Sequence, residues 1–161
     1  ADIFAHSMGT FLAMEGLVKQ HASGRLGKGT EIDNIILASP DIDLNLFETQ
    51  IAELPPSIVK KMYLLVSRDD FALRFSRRIA GGVQRVGAAD TEELDRLGVT
   101  VIDLSSIEDS SSGSHSKFAG SPEVVQLIGA GMNSSRRFGK TGSSTTFEEL
   151  LANVPVTVVR N

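Results

Sequence analysis

Apolar residues in this chain fall into short continuous runs, separated by longer stretches in which they recur at helical spacing. The runs predict four strands: Asp2–Ala5, Ile32–Ala38, Lys61–Ser67 and Val99–Leu104. The second strand contains Ile35-Ile36-Leu37-Ala38 without a polar interruption. Continuous runs of this kind are typical of strands that are buried on both faces of a parallel sheet. A last extended segment is predicted over Val154–Val159.

Between these strands, apolar residues mostly recur at helical spacing. A largely apolar helix is predicted from Met8 to about His21, with its end at Ser23-Gly24. A second helix places Phe47, Ile51 and Leu54 on one face and ends at Pro55-Pro56. Further helices are predicted over 71–86, 91–97, 122–132 and 146–151. Strand and helix alternate four times, which predicts an α/β fold with a parallel sheet, flanking helices and right-handed crossovers.

The composition divides the chain into two parts and argues against several kinds of site and partner. Residues 1–132 are predicted to form one domain, and residues 133–161 a Ser/Gly-rich loop and C-terminal extension. A net charge of −4 gives no reason to expect a nucleic-acid partner. Without cysteine, the chain has no disulfide, thiolate metal site or cysteine nucleophile, although its compartment stays open. No apolar run approaches the roughly 20 residues of a membrane span.

The segment Asp2-Ile3-Phe4-Ala5-His6-Ser7-Met8-Gly9-Thr10 is the most informative in the chain. It predicts a strand, a sharp turn at Ser7 and a helix that begins at Met8. A serine between the small residues Ala5 and Gly9 is typical of a nucleophile elbow, with alanine in the first small position. Small residues are expected there because the strand turns into a helix within one residue, which brings the flanking backbones together. The helix N-terminus, with the Met8 N–H as donor, would then favour a developing oxyanion.

A serine nucleophile needs a base, and the base needs an acid to orient it. Among the three histidines, His115 lies in the loop after the fourth strand, where an elbow hydrolase carries its base. His6 lies in the elbow with its side chain expected to point away from Ser7, and His21 lies at a helix end. Both are interpreted as structural, and His115 is the predicted base.

The acid is chosen from several aspartates that follow or lie in the strands: Asp41, Asp43, Asp69, Asp70 and Asp103. Asp70 is preferred because it lies three residues beyond Ser67, an offset that lets the carboxylate turn back towards the histidine loop. Asp69 is the second choice and Asp43 the third. The alternative for the Asp69–Asp70 pair is that one of them caps the helix ahead of Phe71.

The order Ser7, Asp70, His115 is the order of elbow hydrolases. At these residues the chain resembles the α/β-hydrolase superfamily, and specifically a family of uncharacterised bacterial esterase/lipase-like α/β hydrolases. The resemblance covers most of residues 2–132 and depends on four segments: Ala5-His6-Ser7-Met8-Gly9-Thr10, Ala38-Ser39-Pro40-Asp41-Ile42-Asp43, Val66-Ser67-Arg68-Asp69-Asp70-Phe71-Ala72-Leu73 and His115-Ser116-Lys117-Phe118. It implies hydrolysis of a small-molecule acyl ester through a Ser-His-Asp triad, without a metal or organic cofactor.

The chain departs from the resembling family in two ways. Its elbow begins with Ala5, and the half of the sheet that family members carry before the elbow, including a second oxyanion donor, is absent. The chain therefore corresponds to the C-terminal part of an α/β-hydrolase fold. We expect the missing N-terminal half or another chain to cover the edge of the elbow strand, because unpaired edge groups invite pairing. The alternative function is a non-catalytic α/β-hydrolase-like binding module or an inactive fragment.

Overall fold

The structure, a computed structural model, describes residues 1–67, 86, 91–105, 126, 129 and 157–159. The strands in these ranges are β1 (Asp2–His6), β2 (Asn34–Ala38), β3 (Met62–Val66), β4 (Thr100–Asp103) and β5 (Thr157–Val159). The helices are α1 (Met8–Ala22), α2 (Leu44–Glu53), α3 (Pro56–Val59) and α4 (Thr91–Asp95). Within the same ranges, none of the helices has the length and apolar character needed to cross a membrane.

The strands form one sheet in the order β1-β2-β3-β4-β5. Neighbours from β1 to β4 are parallel, and β5 runs antiparallel to β4. The predicted α/β class and the parallel sheet are therefore confirmed. Because those four strands are parallel, their carboxyl ends meet at one edge of the sheet, where open α/β sheets have their sites.

Burial of the central strands explains their continuous apolar runs. Every residue of β2 and β3 is buried. Alternate residues of β2, Ile35 and Leu37, join a core cluster with Met14 of α1 and Phe47 of α2. Successive residues of a strand point to opposite faces, so α1 and α2 pack on the face that carries Ile35 and Leu37. This packing fixes the start of α1 relative to the end of β2.

Several element boundaries differ from the predictions. Strand β2 begins at Asn34 rather than Ile32, because Asn34 is the first residue that pairs with β1, opposite Asp2. Helix α2 begins at Leu44, three residues before the predicted apolar face, because the Asp43 side chain caps it and accepts a 3.1 Å hydrogen bond from Leu46 N–H. Helix α3 was not predicted. It begins at Pro56, the second residue of the Pro55-Pro56 pair that was predicted only to end the preceding helix. Proline is tolerated in the first turn of a helix, because the N–H that it lacks would have no partner there.

The C-terminal extended segment contributes a strand to the sheet. Strand β5 pairs antiparallel with β4, with Val159 opposite Val101. Of the predicted helices over 71–86, 122–132 and 146–151, only three residues are described: Val86 is in a helical turn, and Gln126 and Gly129 are helical. The division of the chain after residue 132 stays a prediction.

Candidate active site

Ser7 forms the turn between β1 and α1. Its backbone has φ 52° and ψ −125°, values in which side-chain-bearing residues are rarely found. The strand ends at His6 and the helix begins at Met8, so the chain changes direction at this single residue. The predicted sharp turn between strand and helix at Ser7 is therefore confirmed.

The Ser7 side chain is not used to cap the helix that it precedes. A serine in the N-cap position normally accepts a hydrogen bond from an N–H group of the first turn. Ser7 makes no such bond, and the first turn of α1 contains no acidic residue. The first N–H groups of a helix have no partner within it and carry partial positive charge. The hydroxyl and the Met8 N–H therefore lie at the positive end of a 15-residue helix, an arrangement suited to stabilising negative charge.

Both backbone polar groups of Ser7 are anchored. Its N–H donates to the Ala38 carbonyl oxygen at 3.0 Å. Its carbonyl oxygen accepts bonds from the Thr10 N–H at 3.0 Å and the Thr10 hydroxyl at 2.5 Å. The Asp41 N–H also approaches this carbonyl, at 3.4 Å. These contacts hold the strained turn against the end of β2 and the loop that follows it.

The steric reason predicted for Gly9 is wrong for the residues that the structure describes. A Cβ atom placed on Gly9 would have no described heavy atom within 4 Å. The residue of the first turn that faces the neighbouring loop is instead Thr10, which is fully buried. Among the described residues, a side chain at position 9 therefore meets no neighbour, while the close approach occurs one residue later.

The structure gives structural roles to two of the competing aspartates. The Asp43 carboxylate caps α2. The Asp103 carboxylate accepts hydrogen bonds from the Ser105 N–H and hydroxyl, which shape the turn after β4. Asp70, the predicted acid, and Asp69, the second choice, lie outside the described residues, so the choice between them stays a prediction.

The structure describes two of the three histidines, His6 and His21. His21 is exposed in the last turn of α1. A helix rises 1.5 Å per residue, which puts this turn about 20 Å from Ser7. His6 is partly buried at the end of β1. His115, the predicted base, lies outside the described residues, and its role stays a prediction.

Two residues at this edge were missed by sequence reasoning. Ser39, directly after β2, is buried and has φ 46°. It precedes Pro40, and because residues before proline normally adopt extended backbone, this turn could not be predicted from the local sequence. Thr10 was also missed, although a hydroxyl residue in the first turn of a largely apolar helix was an available signal.

An exposed apolar surface flanks Ser7 in the chain. Its large side chains, which we name the elbow patch, are Phe4 (42% exposed), Met8 (73%), Phe11 (38%) and Leu12 (69%). Phe4 belongs to β1, which pairs within the described residues with β2 alone. The patch therefore combines an edge strand with the first two turns of the following helix.

A parallel sheet whose first strand ends in a strained serine turn, followed at once by a helix, defines the chain as an α/β hydrolase. Residues 1–131 match the family described as "Alpha/beta hydrolase of unknown function (DUF900)", and the chain belongs to this family. The match covers 131 of the 161 residues and confirms the predicted α/β-hydrolase superfamily and a family of unknown function. The esterase- or lipase-like character and the bacterial source stay predictions. Neither the curated proteins nor the solved structures contain a match to the chain.

Proposed function

We propose that this chain is a serine hydrolase, esterase- or lipase-like, that cleaves an ester or related acyl bond through an acyl-enzyme. Ser7 is the nucleophile, His115 the general base and Asp70 the acid that orients His115. The observation that carries the proposal is the backbone of Ser7, with φ 52° at the start of α1 and a side chain that makes no capping bond. Such strain persists where the surroundings enforce it, and it is concentrated at functional sites.

In the acylation step, Ser7 Oγ attacks the carbonyl carbon while His115 takes its proton. The oxygen of the tetrahedral intermediate accepts a hydrogen bond from the Met8 N–H. His115 then gives its proton to the leaving alcohol, and the acyl group stays on Ser7. Water, deprotonated by His115, releases the acid and restores Ser7. Since the first turn of α1 has no acidic residue, no carboxylate there opposes the charge on the oxyanion.

The elbow patch supports an apolar acyl group as the part of the substrate next to Ser7. Met8 and Leu12 are each about seven-tenths exposed (73% and 69%) and lie one and five residues after the nucleophile. Burial of apolar surface is worth about 25 cal/mol per Å², so an acyl chain placed on these side chains would gain affinity.

The same patch favours a second candidate function, a non-catalytic α/β-hydrolase-like module that binds a protein partner. Large exposed apolar patches often mark interaction surfaces. In this case Ser7 would keep its strained turn as a feature of the fold and would not react with acylating agents.

A fluorophosphonate probe separates the two candidates. We expect labelling of the wild-type protein to map by mass spectrometry to Ser7, and Ser7→Ala to abolish it. Ser39→Ala is the matched control, because Ser39 also directly follows a strand and has a positive φ of 46°. The Ser39→Ala protein should still be labelled. A folded wild-type protein that takes no label and does not turn over p-nitrophenyl esters would contradict the hydrolase proposal and leave the alternatives of a binding module or an inactive fragment.

A further inference from the structure

Thr10 is the one residue in the first turn of α1 that is completely buried. Its hydroxyl donates a 2.5 Å hydrogen bond to the carbonyl oxygen of Ser7. A bond from a threonine hydroxyl to a carbonyl three residues earlier is common in helices. Here, however, the acceptor is the carbonyl of the strained residue at the turn.

The Thr10 hydroxyl also makes a contact outside its own helix. Its oxygen accepts a hydrogen bond from the Asp41 N–H at 3.3 Å. Asp41 lies in the loop after β2, two residues beyond Ser39, whose φ of 46° turns the chain there. The hydroxyl therefore links two turns with positive φ at the ends of neighbouring strands.

We propose that Thr10 is a positioning residue that holds Ser7 in its reactive backbone conformation. The inference depends on the proposed function of Ser7 as nucleophile. A strained conformation persists only where surrounding contacts determine it. The Ser7 N–H is fixed by Ala38, and the carbonyl side of the same residue depends on Thr10 and Asp41. Because Thr10 is fully buried, water cannot readily replace its hydroxyl. Removing the hydroxyl leaves the Ser7 carbonyl with the Thr10 N–H at 3.0 Å and the Asp41 N–H at 3.4 Å, which is a weaker hold on that side of the turn.

The contribution of Thr10 acts on the reaction step rather than on binding of the reagent. A small displacement of a nucleophile lowers the rate of attack, while the groups that hold the substrate are unchanged. Loss of the hydroxyl should therefore lower the maximal rate of acylation and leave the half-saturating concentration of reagent nearly unchanged. A residue needed only for stability would change the melting temperature and leave both kinetic parameters of the folded protein alone.

The test compares Thr10→Val, which replaces the hydroxyl by a methyl group, with Thr10→Ser, which keeps it. Thr100→Val is the matched control, because Thr100 is also buried but lies in β4, away from the elbow. For each variant, the rate of Ser7 acylation by a p-nitrophenyl ester is measured against ester concentration from the release of p-nitrophenol, and folding is checked by circular dichroism. Thr10→Ala serves as the hydroxyl-free variant if Thr10→Val does not fold.

We expect the hydroxyl-free variant to acylate about tenfold more slowly at saturation, a change of about 1.4 kcal/mol in the barrier. Thr10→Ser should restore most of the rate, and Thr100→Val should match the wild type. If a folded hydroxyl-free variant acylates as fast as the wild type, the inference fails and the proposed function stands. If wild-type Ser7 is not acylated at all, the proposed function fails and the inference fails with it.

Discussion

The backbone N–H of Ser7 donates a 3.0 Å hydrogen bond to the carbonyl oxygen of Ala38, the last residue of β2. The bond continues the ladder between β1 and β2 by one step, since His6 and Ala38 are partners in the sheet. The residue at which the chain turns is thus still attached to the neighbouring strand. The position of the proposed nucleophile is set by β2 as well as by its own strand.

The backbone strain at Ser7 should be measurable as stability. Glycine adopts positive φ without a steric penalty, whereas alanine carries the same penalty as serine, of about 1–3 kcal/mol. After the greater entropy of glycine in the unfolded chain is subtracted, Ser7→Gly should be about 1 kcal/mol more stable than Ser7→Ala. This difference corresponds to about 2–4 °C in thermal melting for a chain of this size.

Ser23 provides the control for this comparison. It follows α1 with an ordinary φ of −82°, so Ser23→Ala should be at least as stable as Ser23→Gly. If Ser7→Ala also proved the more stable of its pair, the turn at Ser7 would not be strained in solution.

Asp43 and Asp70 should separate stability from reactivity. Asp43→Ala removes the cap of α2 and should lower the free energy of unfolding by about 1 kcal/mol, while the rate of Ser7 acylation stays the same. Asp70→Asn should leave stability nearly unchanged and slow acylation by about 10⁴-fold, since an amide cannot keep the histidine in the required tautomer. Urea denaturation measures the first effect, and the kinetics of Ser7 acylation by a p-nitrophenyl ester measure the second. A loss of acylation in Asp43→Ala, with normal rates in Asp70→Asn, would assign the acid to Asp43.

Gly9 should accept a side chain. Because a Cβ at this position meets no described heavy atom within 4 Å, Gly9→Ala should stabilise α1 by about 0.5–1 kcal/mol through its higher helix propensity. Gly16→Ala is the matched control, as Gly16 lies in the same helix with the same free space. Acylation rates should be unchanged in both variants. Destabilisation by Gly9→Ala alone would restore the small-residue requirement that the elbow motif predicts.

We expect a further protein segment or another chain to cover the elbow patch. Leu12→Glu places a charge on this surface. It should reduce self-association of the purified protein, or binding of an added partner, as measured by light scattering. Leu46→Glu is the control, since Leu46 is an exposed apolar residue (37%) on α2, outside the patch. Equal effects of the two substitutions would show that Leu12 does not belong to a specific interface.

Much of the fold could be predicted from the sequence because its strongest signals are local. The continuous apolar run Ile35-Ile36-Leu37-Ala38 predicted a strand buried on both faces, and all of β2 is buried. Boundaries were less accurate, because they depend on partners that are distant in the chain. Asn34 begins β2 only because Asp2 lies opposite, and the start of α2 depends on one carboxylate, that of Asp43.

The candidate site was predictable where a single residue carries the signal. Ser7 was found because its small neighbours indicated a sharp turn. Ser39 and Thr10 were missed because their importance arises from contacts between elements. The Thr10 hydroxyl, for example, accepts a hydrogen bond from the N–H of Asp41, which is 31 residues away in the chain. No local pattern encodes that hydrogen bond. The sequence therefore indicates the turn at Ser7, the proposed nucleophile, but not the contacts that hold it.

The position of β1 in the sheet bears on how the proposed reactivity of Ser7 would be lost on heating. Within the part of the chain that the structure describes, β1 pairs with β2 alone, through residues 32 apart in the chain, whereas β2 and β3 each have a strand on both sides. Strands with fewer neighbours open locally at a lower free energy than the core of a domain. Opening of β1 alone would release the Ser7 turn while Ile35, Leu37 and Phe47 stayed packed. Where no other segment or chain covers β1, gentle heating should therefore abolish fluorophosphonate labelling of Ser7 reversibly, several degrees before the core unfolds.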